Sequence, residues 1–322
     1  MIIKRRDGFK IVTGWWRHQP GHFAWAAVST AQRKYGKATI WNARGKLYVF
    51  LLFISFTFPP ALKAQKINEP ELINSSSQFN SHRFTTVVIS ETALASIVTV
   101  GLQYLWYKKY PKSKFHFFND NNEWCQMDKI GHTFTTYNTA REIYRAMLWA
   151  GYNRKQSIFI GEAYGAAYMT AIEIMDGFSS GWGFSWGDEV ANVSGSALFT
   201  LQQYYWNEQR IHLKFSFHQD YYSGIRPNEL GTSFGSQIIK NYNGQTYWLS
   251  VSPASFCKKE TKFPKWIAFA FGYGATGMVS GYNNVIVYPD GKTSVNPIEN
   301  QSIIIGANGN KTYFSQYRQY YF

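Results

Sequence analysis

The chain has 322 residues, which is enough for one large domain or two smaller ones, and 19% of them are aromatic. Its formal net charge is +14, but residues 1–64 carry eleven basic side chains against the single acid Asp7, which leaves 22 basic and 18 acidic side chains from Gln65 onward. This near balance removes the main argument for nucleic-acid binding, so we expect no nucleic-acid partner. The abundance of Tyr and Trp is instead typical of proteins that meet both lipid and water.

The first 64 residues are interpreted as a leader. Arg44 and Lys46 precede a continuous apolar run at 47–58, and a short segment ends at Ala64. This is the layout of a secretory signal peptide at 44–64 with cleavage after Ala64, and we interpret residues 1–43 as an upstream extension. The apolar run is too short to cross a bilayer comfortably. No cysteine directly follows Ala64, so this region offers no site for a lipid anchor.

The next part of the chain predicts a linker and then helices. Residues 65–84 are polar, and 85–107 are largely apolar but interrupted by Glu91 and Gln103, which fits either a membrane span or a buried helix. Three further helices are predicted at 127–150, 154–176 and 184–206. Residues 119–121 offer capping groups before the first of these three, and a Gly-rich break at 177–183 precedes the last. Together these helices define a predicted helical domain at 85–208.

After Glu208 the sequence changes to strand-like alternation. Residues 211–218 alternate apolar and polar side chains, 247–251 and 266–273 predict further strands, and Asn243-Gly244 marks a turn. We therefore predict an α+β fold, a helical bundle of about four helices (roughly 85–206) followed by an antiparallel β-rich region at 209–322. The aromatic strand pattern at 313–322 stops without a turn, which predicts truncation at the C-terminus. Cys125 and Cys257 could form one disulfide.

Polar side chains that are costly to bury occur near one end of each of the last three helices. Asp128 and His132 share a helix face, as do Asp188 and Asn192, because each pair is four residues apart. If consecutive helices are antiparallel, the start of the first, the end of the second and the start of the third lie at the same end of the bundle. The candidate site residues are Asp128, His132, Glu162, Glu173, Asp176, Asp188 and Asn192.

These residues have a structural and a functional interpretation. In the structural one, Asp128 favours the helix dipole, Asp188 caps the third helix and Glu162 lies on a solvated face. In the functional one, Asp128 orients His132 as a general base, which makes these two the catalytic candidates. The ligand-binding candidates are Glu162, Glu173, Asp176, Asp188 and Asn192. A divalent metal is an optional cofactor, with His132, Asp128, Asp176 and Asp188 as candidate ligands.

Three motifs carry a resemblance to a known family. D-K-x-x-H at 128–132, E-x-x-D-G-F-S at 173–179 and G-D-x-x-A-N-x-x-G at 187–195 resemble the YfiM-like predicted periplasmic lipoproteins, a domain of unknown function. The segment 241–250 is similar to Bacteroidetes-type members, and the layout is more distantly similar to VanZ-like membrane proteins. The resemblance covers roughly 85–280. It implies a small helical domain in the cell envelope, in the periplasm or outer membrane of a Gram-negative bacterium, and it implies no reaction.

Two functions follow from this combination. In the first, the acidic/His cluster of an exported, membrane-associated protein binds an envelope-derived ligand or stabilises the helical core, with a membrane lipid or envelope component as partner. In the second, the protein is a metal- or His-dependent hydrolase or transferase that acts on an envelope lipid or a cell-wall precursor. The sequence favours the first, because it shows no activated nucleophile, no unambiguous metal-ligand triad and no cysteine pair at metal-binding spacing.

Overall fold

The computed structural model describes residues 78–257, 263–264, 266–296 and 301–322. The predicted leader at 1–64 lies outside these residues. Within them, four long helices come first: α1 (Ser81–Leu105), α2 (Met127–Ala150), α3 (Arg154–Gly177) and α4 (Trp186–Trp206). Strand β1 (Ile211–Phe217) and the short helices α5 (Tyr222–Ile225), α6 (Pro227–Leu230) and α7 (Phe234–Lys240) follow. The remaining strands are β2 (Gln245–Val251), β3 (Phe269–Thr276), β4 (Val285–Val287), β5 (Thr293–Val295), β6 (Ser302–Ile305), β7 (Lys311–Phe314) and β8 (Tyr317–Tyr321).

Local sequence signals explain most helix boundaries. The Asn153 side chain accepts from the backbone of Gln156 in a capping box at the start of α3, and Gly151 ends α2 in the left-handed conformation. The predicted cap of α2 by residues 119–121 is wrong. Gln126 precedes that helix in the left-handed conformation without a side-chain capping bond, and the side chains of Asn119 and Asp120 have other partners.

Helix α2 lies at the centre of the helical part, and its residues are buried or half-buried along its whole length. Two glycines let its neighbours approach closely. A Cβ on Gly161 of α3 would lie 2.5 Å from the carbonyl oxygen of Ala140, and one on Gly195 of α4 would lie 2.2 Å from that of Thr133. Such close backbone contact lets polar groups on all three helices meet. A core of Tyr137, Ala140, Tyr144, Ile158 and Phe199 fills the space between these helices.

The strands form two four-stranded sheets, with orders β1-β2-β3-β8 and β5-β4-β6-β7. The first sheet is antiparallel throughout and packs on α2, where Phe134 contacts Phe215 and Tyr247. In the second sheet β4 and β6 are parallel, which departs from the antiparallel prediction for this region. The predicted α+β fold, with the helical region first and a β-rich region after it, is confirmed.

Several smaller predictions need correction. The predicted linker at 65–84 overlaps α1, which begins at Ser81, and β3 begins at Phe269 instead of residue 266. Cys125 is a buried free thiol and Cys257 an exposed one, so the disulfide that the sequence allowed is not formed. Met127 of α2 shares a core with Ala275 and Met278, so the helical and β-rich regions are packed together.

Candidate functional site

The start of α2, the end of α3 and the start of α4 come together around the imidazole of His132. Its Nδ1 atom is 3.1 Å from Oδ1 of Asn192 on α4. Its Nε2 atom is 3.6 Å from Oε1 of Glu173 on α3 and 4.0 Å from Oδ2 of Asp128 on its own helix. The predicted convergence of three helix ends therefore places one imidazole between an amide and two carboxylates.

Asn192 fixes the orientation of the His132 ring and the role of its Nδ1 atom as a donor. Its Nδ2 atom donates to Oε2 of Glu189 at 3.4 Å, and this directs the amide oxygen toward His132. Because an amide oxygen only accepts hydrogen bonds, Nδ1 of His132 must be the donor in this contact. The other ring nitrogen, Nε2, is thereby presented to Glu173 and Asp128.

Lys129 provides a second positive charge in this cluster. Its Nζ atom lies 2.6 Å from Oδ1 of Asp120, 2.7 Å from Oδ1 of Asp188 and 3.8 Å from Oδ2 of Asp128. Burial alone would raise the pKa of Asp120, but hydrogen bonds from Lys129 and Ser185 outweigh it and lower that pKa below its usual range. Asp120 and Lys129 therefore form an ion pair at neutral pH.

Ser185 connects three of the acidic residues. Its Oγ atom donates to Oδ1 of Asp120 at 2.6 Å and accepts from the backbone N–H of Asp188 at 3.2 Å. Its own backbone N–H donates to Oε2 of Glu173 at 3.2 Å. Ser185 is thus the capping residue of α4, and Asp188 sits in the first turn of the helix instead of capping it.

The cluster has more acidic than basic groups. Four carboxylates (Asp120, Asp128, Glu173 and Asp188) surround two side chains that can be positive, Lys129 and His132. Burial lowers the pKa of His132, but the carboxylates Asp128, Asp188 and Glu173 more than offset it and raise that pKa to about 9. Burial and the charge of Asp188 raise the pKa of Glu173 to about 8 despite the opposing effect of His132. An excess of negative charge in a buried site attracts cations.

A cavity of about 480 Å³ opens beside the cluster. Asp128, His132, Asp176 and Asp188 contribute to one part of its lining. Apolar and aromatic side chains, among them Leu102 and Leu105 of α1, Ile172 of α3, Phe215 of β1 and Tyr247 of β2, form other parts. The cavity is therefore amphipathic: charged side chains, which also include Lys109, Glu229 and Lys240, share its lining with apolar walls.

Residues 116–204 match the family model described as Predicted periplasmic lipoprotein (DUF2279). No curated protein and no solved structure matches the chain. The matched segment contains α2, α3, all but the last two residues of α4, and every cluster residue named so far. It supports an exported protein of the Gram-negative periplasm with a domain of unknown function. The finer likenesses to YfiM-like, Bacteroidetes-type and VanZ-like proteins stay predictions.

The seven predicted site residues divide into three groups within this matched segment. Asp128, His132, Glu173, Asp188 and Asn192 meet around the imidazole. Asp176 lines the same cavity but is bound elsewhere, because its Oδ1 accepts from Tyr107 Oη and from Trp182 Nε1. Glu162 is half-buried and lies three helical turns from Glu173, roughly 16 Å along α3, so it is outside the cluster.

Lys129, Asp120 and Tyr242 contact these residues but were not predicted as part of the site. Lys129 is the second letter of the D-K-x-x-H motif and could have been found there. Asp120 was assigned to helix capping on the basis of its position in a polar break. The hydroxyl of Tyr242 donates to Oδ1 of Asp128, which is 114 positions away in the sequence. Burial raises the pKa of Tyr242 well above its usual value, so this hydroxyl stays a neutral donor. Nothing in the local sequence pointed to that contact.

Proposed function

We propose that this chain is an exported, membrane-associated envelope protein that binds an amphiphilic, envelope-derived ligand in the cavity beside His132. The observation that carries the proposal is the joining of apolar walls to the acidic/His cluster in a single cavity. A volume of about 480 Å³ is within the range of small-molecule sites. It suits a polar head group and the first part of a hydrocarbon chain.

The ligand's polar end is expected at Asp128, His132 and Asp188. The net negative charge there favours a cationic group on the ligand, or an anionic group held through a bound cation. The ligand's apolar end is expected against Leu102 and Phe215, where burial of hydrocarbon contributes about 25 cal/mol for each Å² removed from water.

The outer faces of α3 and α4 support membrane association. From Phe159 onward in α3 and along the whole of α4, the exposed side chains are uncharged, and most of them lie in one stripe on each helix; Lys155, in the first turn of α3, is the charged exception. Aromatic residues lie at both ends of each stripe and small or aliphatic residues lie between them, as at lipid interfaces. The stripes are Phe159, Ala163, Ala167, Ala171 and Ile174 on α3 with Phe178 directly after it, and Trp186, Val190, Val193, Leu201 and Tyr204 on α4.

Helix α1 adds to this apolar surface. Among the described residues, Ser81–Lys109 is the one helical segment long and apolar enough to cross a membrane by length and composition, with a mean hydropathy of 1.6 over an 18-residue window. Little of that window is buried. A largely exposed apolar helix that shares a groove with Ala167 of α3 supports contact with lipid.

Ligand binding is tested by purifying the protein from cell envelopes in mild detergent and analysing extracted molecules by mass spectrometry. We expect the wild-type protein to retain an amphiphile. Leu102→Trp should abolish retention by filling the cavity, whereas Leu201→Trp, on the exposed face of α4, should retain it. Absence of any amphiphile from the wild-type protein, or equal retention by the Leu102→Trp variant, would contradict the proposal.

The hydrolase or transferase alternative has one observation in its favour: Asn192 fixes the His132 ring, as expected of an oriented general base. The surrounding carboxylates weaken this alternative, because they raise the pKa of His132 to about 9. At neutral pH the imidazole is then protonated and cannot accept a proton. Hydrolysis of a purified envelope lipid by the wild-type protein, lost in His132→Gln, would favour the enzyme over the binding protein.

A further inference from the structure

We propose that Asp128, His132 and Asp188 form a site for one divalent cation of the zinc class, with Glu173 as a further ligand. The carboxylate oxygens of the two aspartates and a ring nitrogen of His132 all lie within 4.8 Å of one another. Tetrahedral coordination at about 2.1 Å would bring such donors to about 3.4 Å apart, so side-chain rotations that shorten these separations by up to about 1.4 Å would close the site.

Glu173 supplies an independent indication of a ligand. Its side chain is 1% exposed, and its Oε1 atom has no hydrogen-bond donor although it lies 3.6 Å from Nε2 of His132. The other oxygen, Oε2, is fixed by the backbone N–H of Ser185. A buried carboxylate oxygen without a donor is costly, and a cation between it and the imidazole would satisfy it.

The His132 ring is held as a metal-binding histidine would be. Ligating histidines generally donate their second ring N–H to an oxygen acceptor, which fixes the tautomer and the ring orientation. Asn192 fills that role at Nδ1, and a metal would displace the proton from Nε2, which faces the carboxylates of Asp128 and Glu173. A nitrogen donor combined with carboxylates favours zinc-class ions over magnesium and calcium, which prefer oxygen alone.

Lys129 is the competitor for this site. Its Nζ atom contacts Asp188 at 2.7 Å but is held equally closely by Asp120, at 2.6 Å. Its ammonium can therefore keep Asp120 as partner while Asp188 turns toward a metal. A divalent ion that displaces the proton of His132 would add one net positive charge to a cluster in which four carboxylates surround two basic side chains.

The cation would face the proposed ligand, since Asp128, His132 and Asp188 line the cavity. An open coordination position there would take an anionic oxygen, such as a phosphate of the ligand's head group. This last role of the cation rests on the proposed function, but metal binding itself does not require the ligand.

The test is calorimetric titration of tag-free, chelator-treated protein with zinc chloride, followed by absorption spectroscopy with Co²⁺ as a probe of nitrogen coordination. We expect one ion per chain. Asp128→Asn and His132→Gln should each weaken binding at least about tenfold, and His132→Gln should also change the Co²⁺ spectrum. Asp176→Asn, which alters the same cavity outside the donor set, should stay within about threefold of wild type, and near-UV circular dichroism monitors folding of each variant.

Two results would overturn the metal site: no zinc binding by the folded wild-type protein, or binding that Asp128→Asn and His132→Gln leave unchanged. Failure of the proposed function gives a different pattern. Zinc binding without any retained amphiphile would contradict only the ligand proposal. The metal proposal alone would be contradicted if the protein binds no zinc and retains the amphiphile equally with and without chelator.

Discussion

At the scale of single residues, Asp176 lies near the cluster around His132 but is not part of it. It lines the cavity, yet the hydroxyl of Tyr107 and the indole N–H of Trp182 both donate to its Oδ1 atom. Burial is the main reason that its pKa rises to about 6. These donors make Asp176 a link between the segment after α1 and the loop after α3.

The raised pKa of Asp176 predicts how stability depends on pH. The folded pKa of Asp176 exceeds the unfolded value of 3.8, so the folded state binds the proton more tightly. The protonated carboxyl therefore contributes fully to the free energy of unfolding below about pH 4, and this contribution is lost as the pH rises through 6. Asp176→Asn removes the buried charge and keeps an acceptor oxygen for both donors. We expect its free energy of unfolding to exceed that of wild type by about 1–3 kcal/mol at pH 8, with no gain at pH 4, in urea denaturation.

Asp176→Ala serves as the matched control, since it removes the charge and also the acceptor. It should lower the free energy of unfolding at both pH values, because Trp182 and Tyr107 lose their partner. An Asp176→Asn variant less stable than wild type at pH 8 would show that the charge is compensated by another group.

At the scale of helices, α3 and α4 each have two opposed roles. Their inner faces combine glycines, apolar core residues and the polar groups that meet α2, and their outer faces are exposed and, from Phe159 onward, uncharged. The face of a helix that points away from the core usually carries charged and polar residues in water. This difference is the reason that we propose lipid contact for the outer faces.

Charged substitutions on the α4 stripe test this assignment. Val190 and Val193 are 65% and 57% exposed, so lysine at both positions should fold normally. We expect Val190→Lys combined with Val193→Lys to reduce co-flotation with neutral phosphatidylcholine vesicles at least about tenfold, because burying a lysine ammonium in hydrocarbon is costly. Flotation is measured on a density gradient.

Thr312→Lys on the exposed strand β7 is the control for the α4 variant and should float as wild type does. Equal flotation of all three proteins would contradict lipid contact at α4. If the stripe instead binds a second copy of the chain, the double variant would change the molar mass in light scattering and leave vesicle binding unaffected.

At the scale of the whole molecule, the β-rich region helps to build the helical site. Tyr242, just before β2, donates to Asp128, and Tyr247 of β2 approaches Gly131. We expect Tyr242→Phe to lower the free energy of unfolding by about 1.5–3 kcal/mol, because it removes a hydrogen bond to a charged acceptor. Tyr288→Phe, whose hydroxyl contacts Ser294 at the surface, should change stability by less than about 0.5 kcal/mol in the same urea titration.

An unaltered stability in the Tyr242→Phe variant would mean that water replaces the hydroxyl at no cost. A loss as large as predicted, with wild-type zinc affinity, would separate the structural contribution of Tyr242 from metal binding.

How far the sequence predicted this molecule depends on the distance between interacting residues. Helices α2, α3 and α4 were predicted to within two residues, because their capping and breaking signals are local. The meeting of Asp128, Glu173 and Asp188 followed from short connections between antiparallel helices. Asp120 and Tyr242 were missed because their partners are set by tertiary packing, and the start of α2 was explained wrongly because its left-handed lead-in has no sequence signature.

The two unpaired thiols have a practical consequence. A chain that is secreted with Cys125 buried and Cys257 exposed needs no thiol oxidase to reach its folded state. It also presents a single reactive position while folded, since a maleimide reagent reaches Cys257 and not Cys125. A fluorophore attached there, near the aromatic rings of Trp206 and Phe256, would report on the end of α4 in the native protein without any engineered cysteine.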